Sequence, residues 1–207
     1  MAYLLPADYA NYGLPAGTTP DWVTAATALI NSYCRRPDLN VVQYQERLRL
    51  VSGAQTAVLS YLPLAPLGSA TSPLLSIQAR YGIVRRGEAT EVPLIDAVLA
   101  FSLPGQWTAI DVTTVDYAVD TGELTLPWNV LGLPYNEIDV TYTAGLAVIG
   151  DDVKTACAQI VRNAQAQPAL NVAKSRVDTL QMEYFSGSLL DETVKTLLRP
   201  YVASRLG

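Results

Sequence analysis

The side chains that most often carry catalysis or bind metals are scarce in this sequence of 207 residues. It contains no histidine, which removes the commonest general base and metal ligand. The two cysteines, Cys34 and Cys157, are isolated, and no further ligands stand at the spacing of a zinc site. No glycine-rich phosphate loop and no Gly-x-Ser-x-Gly turn occurs. The sequence therefore predicts no cofactor, no metal site and no enzymatic activity.

Acidic side chains do occur in pairs, the arrangement that acid–base chemistry and magnesium binding use. The pairs are Asp151-Asp152, Asp191-Glu192, and Asp120 with Glu123. The first two stand where a helix is predicted to begin, and carboxylates stabilise the positive end of a helix dipole. The third flanks a predicted turn. We interpret all three as structural, and a small enzyme with an unrecognised site is the alternative.

Charge and composition limit the partners of this chain. The net charge is −5, and charged residues make up only 16% of the sequence, against about 25% in typical soluble domains. Basic residues are scattered, with Arg35-Arg36 and Arg85-Arg86 as the only doublets, whereas tight DNA binding needs clustered basic side chains. We therefore predict no tight DNA binding, and we expect a surface that other protein partly covers.

Neither a secretory signal nor a membrane span is predicted. The first residues lack a basic region, and no apolar run approaches the roughly 18 residues of a span. Cys34 and Cys157 fall on predicted apolar helix faces, where a thiol acts as a small buried hydrophobic group. We expect a protein that is made and kept in a cytoplasm-like compartment.

Two amphipathic helices are predicted from the 3.6-residue period of apolar side chains. The first begins at Thr19-Pro20-Asp21, where Thr19 can cap the helix, and it ends before Pro37. The second begins at Asp151-Asp152 and stops before Pro168. We expect these helices to pack on each other and on one face of a sheet. The side chains predicted to be buried between them are Trp22, Leu29, Ile30, Val153, Cys157, Ile160 and Val161.

Between the helices the apolar period changes to two, as in β-strands. The alternation is clear over 43–50 and 137–143, and a hairpin with Gly122 in its turn is predicted over 116–126. Shorter strands are predicted at 58–62, 74–81, 92–102, 107–112 and 177–185. This order of elements predicts an α+β fold: two or three packed helices with a small antiparallel sheet, an extended N-terminal arm and a C-terminal segment.

The ends of the chain are predicted to extend from a single domain over 1–187. Residues 1–18 form an arm whose Tyr3, Tyr9 and Tyr12 suit contact with a neighbouring subunit, because tyrosine is favoured at interfaces. Residues 188–207 form a segment that docks its apolar face on a partner. The residues predicted to dock are Val194, Leu197, Leu198, Arg199, Pro200, Tyr201, Val202 and Arg205. The alternative is a third core helix, packed on its own subunit.

Four features, taken in their order along the chain, carry a resemblance to a known family. Residues 22–36 form an Ala-bearing helix that ends in Tyr33-Cys34-Arg35-Arg36. Residues 140–146 contain Tyr-Thr-Ala-Gly and precede an aspartate-capped helix, and residues 197–201 end on Leu-Leu-Arg-Pro-Tyr. Together they resemble the head–tail connector, or adaptor, proteins of tailed double-stranded DNA phages. Residues 63–115 depart from that family, whose β region is shorter, and are interpreted as an enlarged β and loop region.

The resemblance implies a structural virion protein. Adaptors form a ring, expected here to be a dodecamer, beneath the portal protein, where they extend the DNA channel and dock the stopper or tail-completion protein. DNA would pass through the channel without specific binding, and no membrane would be involved. The implied location is the neck of the virion, after assembly in the host cytoplasm. Another neck subunit, such as a stopper or tail terminator, is the alternative within the same class.

Overall fold

The computed structural model describes residues 2–50, 55–80, 106–127, 135–166, 174–177, 180–183 and 189–203. These residues form the predicted α+β fold. The chain divides into two compact units, Met1–Leu39 with Val148–Val202 and Asn40–Ala147 with Ala203–Gly207. The single domain over 1–187 stays a prediction, and the closing helix belongs to the first of these two units. The predicted strand at 92–102 and the doublet Arg85-Arg86 lie outside the described residues.

Three α-helices are described in the first unit, the helical unit: α1 (Pro20–Cys34), α2 (Asp151–Ala166) and α3 (Glu192–Leu198). Helix α2 contacts α1, α3 and the short 3-10 helix Ala10–Tyr12, so the predicted packing of the first two helices on each other is confirmed. The buried side chains of α2 accordingly cover a wide arc of the helix. They are Val153, Ala156, Cys157, Ala158, Ile160 and Val161.

The buried face of α1 is rotated from the predicted one. Its buried residues are Val23, Ala26, Thr27, Ile30 and Cys34. Leu29 is half-buried and Trp22 is 42% exposed, so the prediction that Trp22 is buried is wrong. The buried positions span an arc between Ala26 and Thr27 that is centred near Val23, and Trp22, about 100° from Val23 around the helix, lies outside that arc. Thr19 also makes no side-chain capping bond, although Pro20 and Asp21 begin the helix as predicted.

Among its described residues, the second unit, the β unit, contains seven strands: β1 (Val42–Arg49), β2 (Thr56–Val58), β3 (Leu74–Arg80), β4 (Thr108–Ile110), β5 (Asp116–Tyr117), β6 (Glu123–Thr125) and β7 (Glu137–Ala144). They form a four-stranded sheet in the order β1-β7-β3-β4 and a three-stranded sheet in the order β2-β6-β5. Strand β7 pairs antiparallel with β1 on one side and β3 on the other. The predicted hairpin is confirmed, with Gly122 at a φ of +67° before β6.

The two sheets of the β unit enclose one core. The four-stranded sheet contributes Ile77, Ile138 and Val140, and the three-stranded sheet contributes Ala57 and Leu124. The helical side chains form a separate core. The expectation that the helices pack on one face of the sheet stays a prediction. The second sheet supplies the apolar side chains that cover it, and sequence periodicity does not identify which element covers an apolar face.

A further hairpin is formed by β8 (Lys174–Val177) and β9 (Leu180–Glu183). Sequence analysis predicted one strand over 177–185, and the structure instead has two short antiparallel strands in this region. In the described part of the chain, these two strands pair only with each other.

The helical core gives a direct test of the packing. Ile160 is 1% exposed, and Ile160→Ala is expected to lower the free energy of unfolding by about 2–5 kcal/mol, because it removes buried methyl groups and leaves a cavity. Thr155 is exposed on the same helix, and Thr155→Ala is the matched control, with an expected change within about 0.5 kcal/mol. Urea unfolding followed by circular dichroism measures both. A loss below about 0.5 kcal/mol in Ile160→Ala would contradict this packing.

Candidate interaction surfaces

The N-terminal arm packs onto its own chain. Tyr3 is 3% exposed and Tyr9 is 7% exposed, and both belong to the helical core. The Tyr3 hydroxyl accepts a hydrogen bond from the backbone N–H of Leu39 at 2.8 Å and bonds to the side chains of Asn31 and Asp38. Burial raises the pKa of the Tyr3 phenol well above its ordinary range. Tyr3 and Tyr9 are thus core residues of their own chain, and the contact of the arm with a neighbouring subunit stays a prediction.

Two tyrosines hold the two ends of the chain at the start of α2. The Tyr12 hydroxyl donates to Asp151 Oδ1 at 2.6 Å, and the Tyr201 hydroxyl donates to Asp152 Oδ2. The bond to Asp151 raises the pKa of Tyr12 to about 12, and burial together with the bond to Asp152 raises the pKa of Tyr201 to about 12. The pair Asp151-Asp152 therefore has a structural role, as predicted, and it anchors both terminal segments.

The predicted docking segment lies partly in the helical core. Val194 and Leu198 are fully buried, and the Asp191 carboxylate caps α3 by accepting a hydrogen bond from the Val194 N–H at 2.7 Å. Leu197, Tyr201 and Val202 are half-buried, and Arg199 and Pro200 are exposed. This arrangement matches the alternative of a third core helix. Docking on a partner stays a prediction for the exposed Arg199 and Pro200, and Arg205 lies outside the described residues.

The short 3-10 helix Arg199–Tyr201 follows α3 directly. The α-helix ends at Leu198, two residues before Pro200, whose ring and missing N–H do not fit a continuing helix. This turn brings Tyr201 back onto Asp152 and leaves Arg199 and Pro200 on the surface.

Thr143, in the Tyr-Thr-Ala-Gly segment, ties the loop between β2 and β3 to strand β7. Its hydroxyl donates to the carbonyl of Ala65 at 2.6 Å, and its backbone N–H donates to the carbonyl of Pro73 at 2.8 Å. Its own carbonyl accepts from the Ala65 N–H at 3.2 Å. Thr143 is fully buried, so these bonds satisfy polar groups that would otherwise be costly to bury.

Tyr142 anchors the same loop from the opposite face of β7. The side chain is fully buried and its ring lies 5.9 Å from that of Tyr44, which itself stacks on Tyr61 at 3.9 Å. The hydroxyl of Tyr142 accepts a hydrogen bond from the Tyr61 N–H at 3.3 Å. Burial, and then the neighbouring Glu46 carboxylate, raise the pKa of Tyr142 beyond its ordinary range. The phenol stays protonated and acts as a packing group.

Gly145 ends β7 where two backbone segments meet closely. Its φ is +140°, and a Cβ atom at this position would lie 2.3 Å from the carbonyl oxygen of Asn40. Its N–H donates to the carbonyl of Pro63 at 2.9 Å. Only glycine fits both the backbone angle and the close approach. The Tyr-Thr-Ala-Gly segment is therefore a structural device that joins β7 to two neighbouring segments.

Three arginines converge on one buried carboxylate on the four-stranded sheet. Glu137 accepts from Arg47 at 2.6 Å and Arg80 at 2.9 Å, and Arg49 lies 3.4 Å away. Burial alone would raise the pKa of Glu137, but the bonds from Arg47 and Arg80 outweigh it and hold the pKa below its usual value. Trp107 lies under Arg80 at 4.5 Å and under Arg47 at 5.2 Å from its ring centre.

This arginine–tryptophan cluster was missed by sequence reasoning. The alternation over 43–50 placed Arg47 and Arg49 on the polar face of their strand, which the structure confirms. Nothing local in the sequence connects these side chains to Glu137, about 90 residues away, because the pairing of β1 with β7 brings them together. The ion pairs and the stacking on Trp107 stabilise the contact of β7 with its two neighbouring strands, so the cluster has a structural explanation.

The described residues do not bring together a set of metal ligands. Within these ranges, His, Cys, Asp and Glu side chains do not gather in groups of three or more. Cys34 and Cys157 are both buried free thiols, as predicted, and burial raises the pKa of each to about 11. Asp120 and Glu123 are exposed on either side of the turn at Gly122. The described helices also contain no stretch long and apolar enough to cross a bilayer.

No protein-family model matches the chain, and no curated protein sequence matches it.

The close approach at Gly145 gives a second test. Gly145→Ala is expected to lower the free energy of unfolding by more than about 3 kcal/mol, because the backbone of Asn40 must move and the angle is unfavourable for alanine. Gly68 also has a positive φ, +63°, but has open space at its Cβ position. Gly68→Ala should therefore cost only about 1–2 kcal/mol, the conformational part alone. Equal losses in the two variants, measured by urea unfolding, would contradict the steric explanation.

The tyrosine anchors give a pH-dependent test. Tyr201→Phe is expected to cost about 1–2 kcal/mol at neutral pH, because it removes a hydrogen bond to a carboxylate. The pKa of Tyr201 is about 12 in the folded protein against an ordinary value of 10.0, so this stabilisation is complete below pH 10 and is lost as the pH rises towards 12. Urea unfolding of both proteins at several pH values measures the difference. A difference that stays constant up to pH 12 would show that the phenolic proton is not involved.

Proposed function

We propose that this protein is a structural component of a phage virion, a head–tail adaptor whose copies form a ring, a dodecamer, beneath the portal protein. In this role it extends the DNA channel and docks the stopper or tail-completion protein. The protein would be located in the neck of the virion, and in the host cytoplasm during assembly.

One observation carries the proposal: three of the four segments that resemble the adaptor family, far apart in sequence, share one core, while residues 140–146 belong to the β unit. Residues of α1, of the start of α2 and of the closing segment all belong to the helical core. Examples are Ile30, Val153 and Leu198, which are fully buried. Features that meet in one core are constrained together, so the resemblance concerns a packed unit rather than unrelated short matches.

The chemistry of the described side chains supports a structural role. The strongest pKa shifts in the described ranges have structural explanations, such as Tyr12 on Asp151, Tyr201 on Asp152 and the burial of Tyr142. The net charge of −5 disfavours tight binding to phosphates. Both properties fit a channel protein that lets DNA pass without holding it.

The helical unit offers surface groups of the type used at protein interfaces. Trp22 is 42% exposed and Val148 is 81% exposed, and tryptophan is enriched where proteins meet. On the closing segment, Arg199 and Pro200 are exposed beside the half-buried Leu197 and Val202. We assign contact with the portal to this closing segment, with Arg199 as a charge at the edge of the interface.

A stopper is the second candidate, because of the β unit. Its two sheets enclose one core, and stoppers are expected to be compact β-barrels. The two candidates differ in their partner: an adaptor binds the portal directly, whereas a stopper binds an adaptor ring. The same binding experiment therefore separates them.

The portal contact gives a test of the proposed function. The purified protein is expected to form rings in negative-stain images and to co-sediment with rings of the portal protein. Arg199→Glu should weaken this association by about tenfold at low salt and by less at high salt, because a charge at the edge of an interface acts mainly through screened electrostatics. The free energy of unfolding of the Arg199→Glu variant should equal that of the wild-type chain within about 0.5 kcal/mol.

Arg162→Glu is the matched control, since Arg162 is exposed on α2 of the same unit and undergoes the same change in charge. It is expected to retain portal binding. Equal losses in both variants would show a general charge effect and contradict the assignment to Arg199. A chain that stays monomeric and binds no portal would contradict the adaptor proposal itself, and binding to adaptor rings but not to portal rings would favour the stopper.

A further inference from the structure

The charges of the β unit are unevenly distributed over its surface. In the described part of this unit, every basic side chain belongs to the arginine–tryptophan cluster on the four-stranded sheet. These basic residues are Arg47, Arg49 and Arg80. The described range 106–127 contains no basic residue, and its acidic residues are Asp111, Asp116, Asp120 and Glu123. The β unit therefore has one basic surface and one acidic surface.

The acidic surface lies on the outer side of the three-stranded sheet. Leu124 of β6 is fully buried in the core, so its neighbour Glu123 points outward, and Glu123 is exposed. Asp116 of β5 and Asp120 in the turn of the same hairpin are also exposed. Asp116, Asp120 and Glu123 form no ion pair with any residue in the described ranges. Within those ranges, the negative charge of this surface is therefore not balanced.

Two exposed apolar side chains accompany these carboxylates. Val58 faces Glu123 across β2 and β6 and is 40% exposed. Val119, which precedes Asp120 in the hairpin, is 46% exposed. A contact surface between proteins typically combines an apolar centre with polar and charged groups at its rim. The acidic surface therefore offers a protein partner both apolar area and charge.

The basic surface lies on the opposite side of the β unit. Ile138 and Val140 of β7 lie in the core between the two sheets, and successive side chains of a strand point to opposite faces. Glu137 of the same strand therefore faces away from the core, together with the three arginines that converge on it. Since the core separates the basic surface from the acidic surface, the two surfaces of one copy cannot meet.

Guanidinium groups are the exposed charges of the basic surface. The side chains of Arg47 and Arg49 are 52% and 37% exposed, whereas that of Glu137, on which they converge, is 8% exposed. The neighbouring Asp139 is half-buried and accepts a hydrogen bond from Gln45 at 2.9 Å. Arginine and tryptophan are enriched among the residues that dominate the binding energy of interfaces, and the cluster contains both. An acidic partner would therefore meet exposed guanidinium groups at this surface.

We propose that the acidic surface of one copy of this chain binds the basic surface of a second copy. The carboxylates and the exposed guanidinium groups supply opposite charges, which steer the two surfaces together and fix their orientation. A symmetric pair of two acidic surfaces, or of two basic surfaces, would instead bring like charges together, which costs binding energy. Because both complementary surfaces belong to one sequence, a second copy is a partner that fits each of them.

This contact is head-to-tail, because it joins two different surfaces of the chain. Head-to-tail contacts generate closed rings when the rotation between copies closes, and open filaments when it does not. The contact rests on the proposed function in one respect, the association of copies, and it does not involve the portal. It specifies which surfaces of neighbouring copies would meet in the proposed ring.

Reversal of one acidic charge tests the contact. Glu123→Lys is expected to weaken the self-association of the chain about tenfold at low salt, because the new ammonium group would face guanidinium groups. The loss should shrink at high salt, where charges near the surface are screened. Sedimentation velocity over a range of protein concentrations measures both effects, and circular dichroism checks that the variant stays folded.

Asp21→Lys is the matched control, because Asp21 is exposed on α1 of the helical unit and undergoes the same change in charge. This variant is expected to associate within about twofold of the wild-type chain, since position 21 lies outside both surfaces. Equal losses in the two variants would show an effect of net charge alone and would overturn the assignment of the acidic surface.

Cross-linking identifies the two surfaces without relying on a change of charge. The sequence from Asn40 to Ala147 contains no lysine, and Arg49→Lys places a single amine in the basic surface while keeping its positive charge. A carbodiimide then couples this amine to a carboxylate in direct contact, with loss of water. In a mixture of isotope-labelled and unlabelled chains, mass spectrometry is expected to find position 49 of one copy joined to a carboxylate of the acidic surface of another. Thr24→Lys, on the exposed side of α1, is the control for random collision.

Each outcome decides whether this contact exists. A wild-type chain that is monomeric at all concentrations overturns it, as does a Glu123→Lys variant that associates like the wild-type chain. A cross-link in Arg49→Lys that does not exceed the Thr24→Lys level also overturns it. Rings that bind the portal without this cross-link would contradict the contact and leave the adaptor proposal intact. The cross-link in oligomers that do not bind the portal would support the contact and contradict the adaptor proposal.

Discussion

Helix α2 (Asp151–Ala166) must be covered on several sides at once, and the helical unit is organised by this requirement. A helix of 16 residues is marginal in water by itself, and its stability comes from burial at about 1.5–3 kcal/mol for each large apolar side chain. Helix α1, helix α3 and the 3-10 helix of the arm all contact it. The arm and the closing segment are therefore structural parts of the unit, and Tyr12 and Tyr201 fix them at its first turn.

The β unit depends on strand β7 in a comparable way. Its two neighbours, β1 and β3, pair with it along most of its length. At its start, Glu137 gathers arginines from both neighbouring strands. At its end, Thr143 and Gly145 bind the loop before β3 and approach the backbone of Asn40. A single strand thus connects polar and steric constraints that lie far apart in the sequence.

These constraints bear directly on function. The described tyrosines and acidic groups whose pKa is shifted serve as anchors, ion pairs and buried packing groups. The functional capacity that we assign to the protein then lies in its surface, on the exposed side chains of the closing segment. Such features are typical of a protein whose role is assembly, where geometry and complementarity count for more than reactivity.

Local periodicity alone determined the α+β class, helices α1 and α2, the alternation of β1 and β7, and the turn at Gly122. These features depend on residues within a few positions of one another, so a single stretch of sequence contains their physical cause. Only the tertiary structure decided that Trp22 is exposed, that Tyr3 and Tyr9 lie in the helical core of the same chain, and that a second sheet covers the first. It also decided which strand brings Glu137 to Arg47. Each of these outcomes depends on a partner that is distant in sequence. The type of a side chain, apolar or charged, shows that it needs a partner but does not show which residue that partner is.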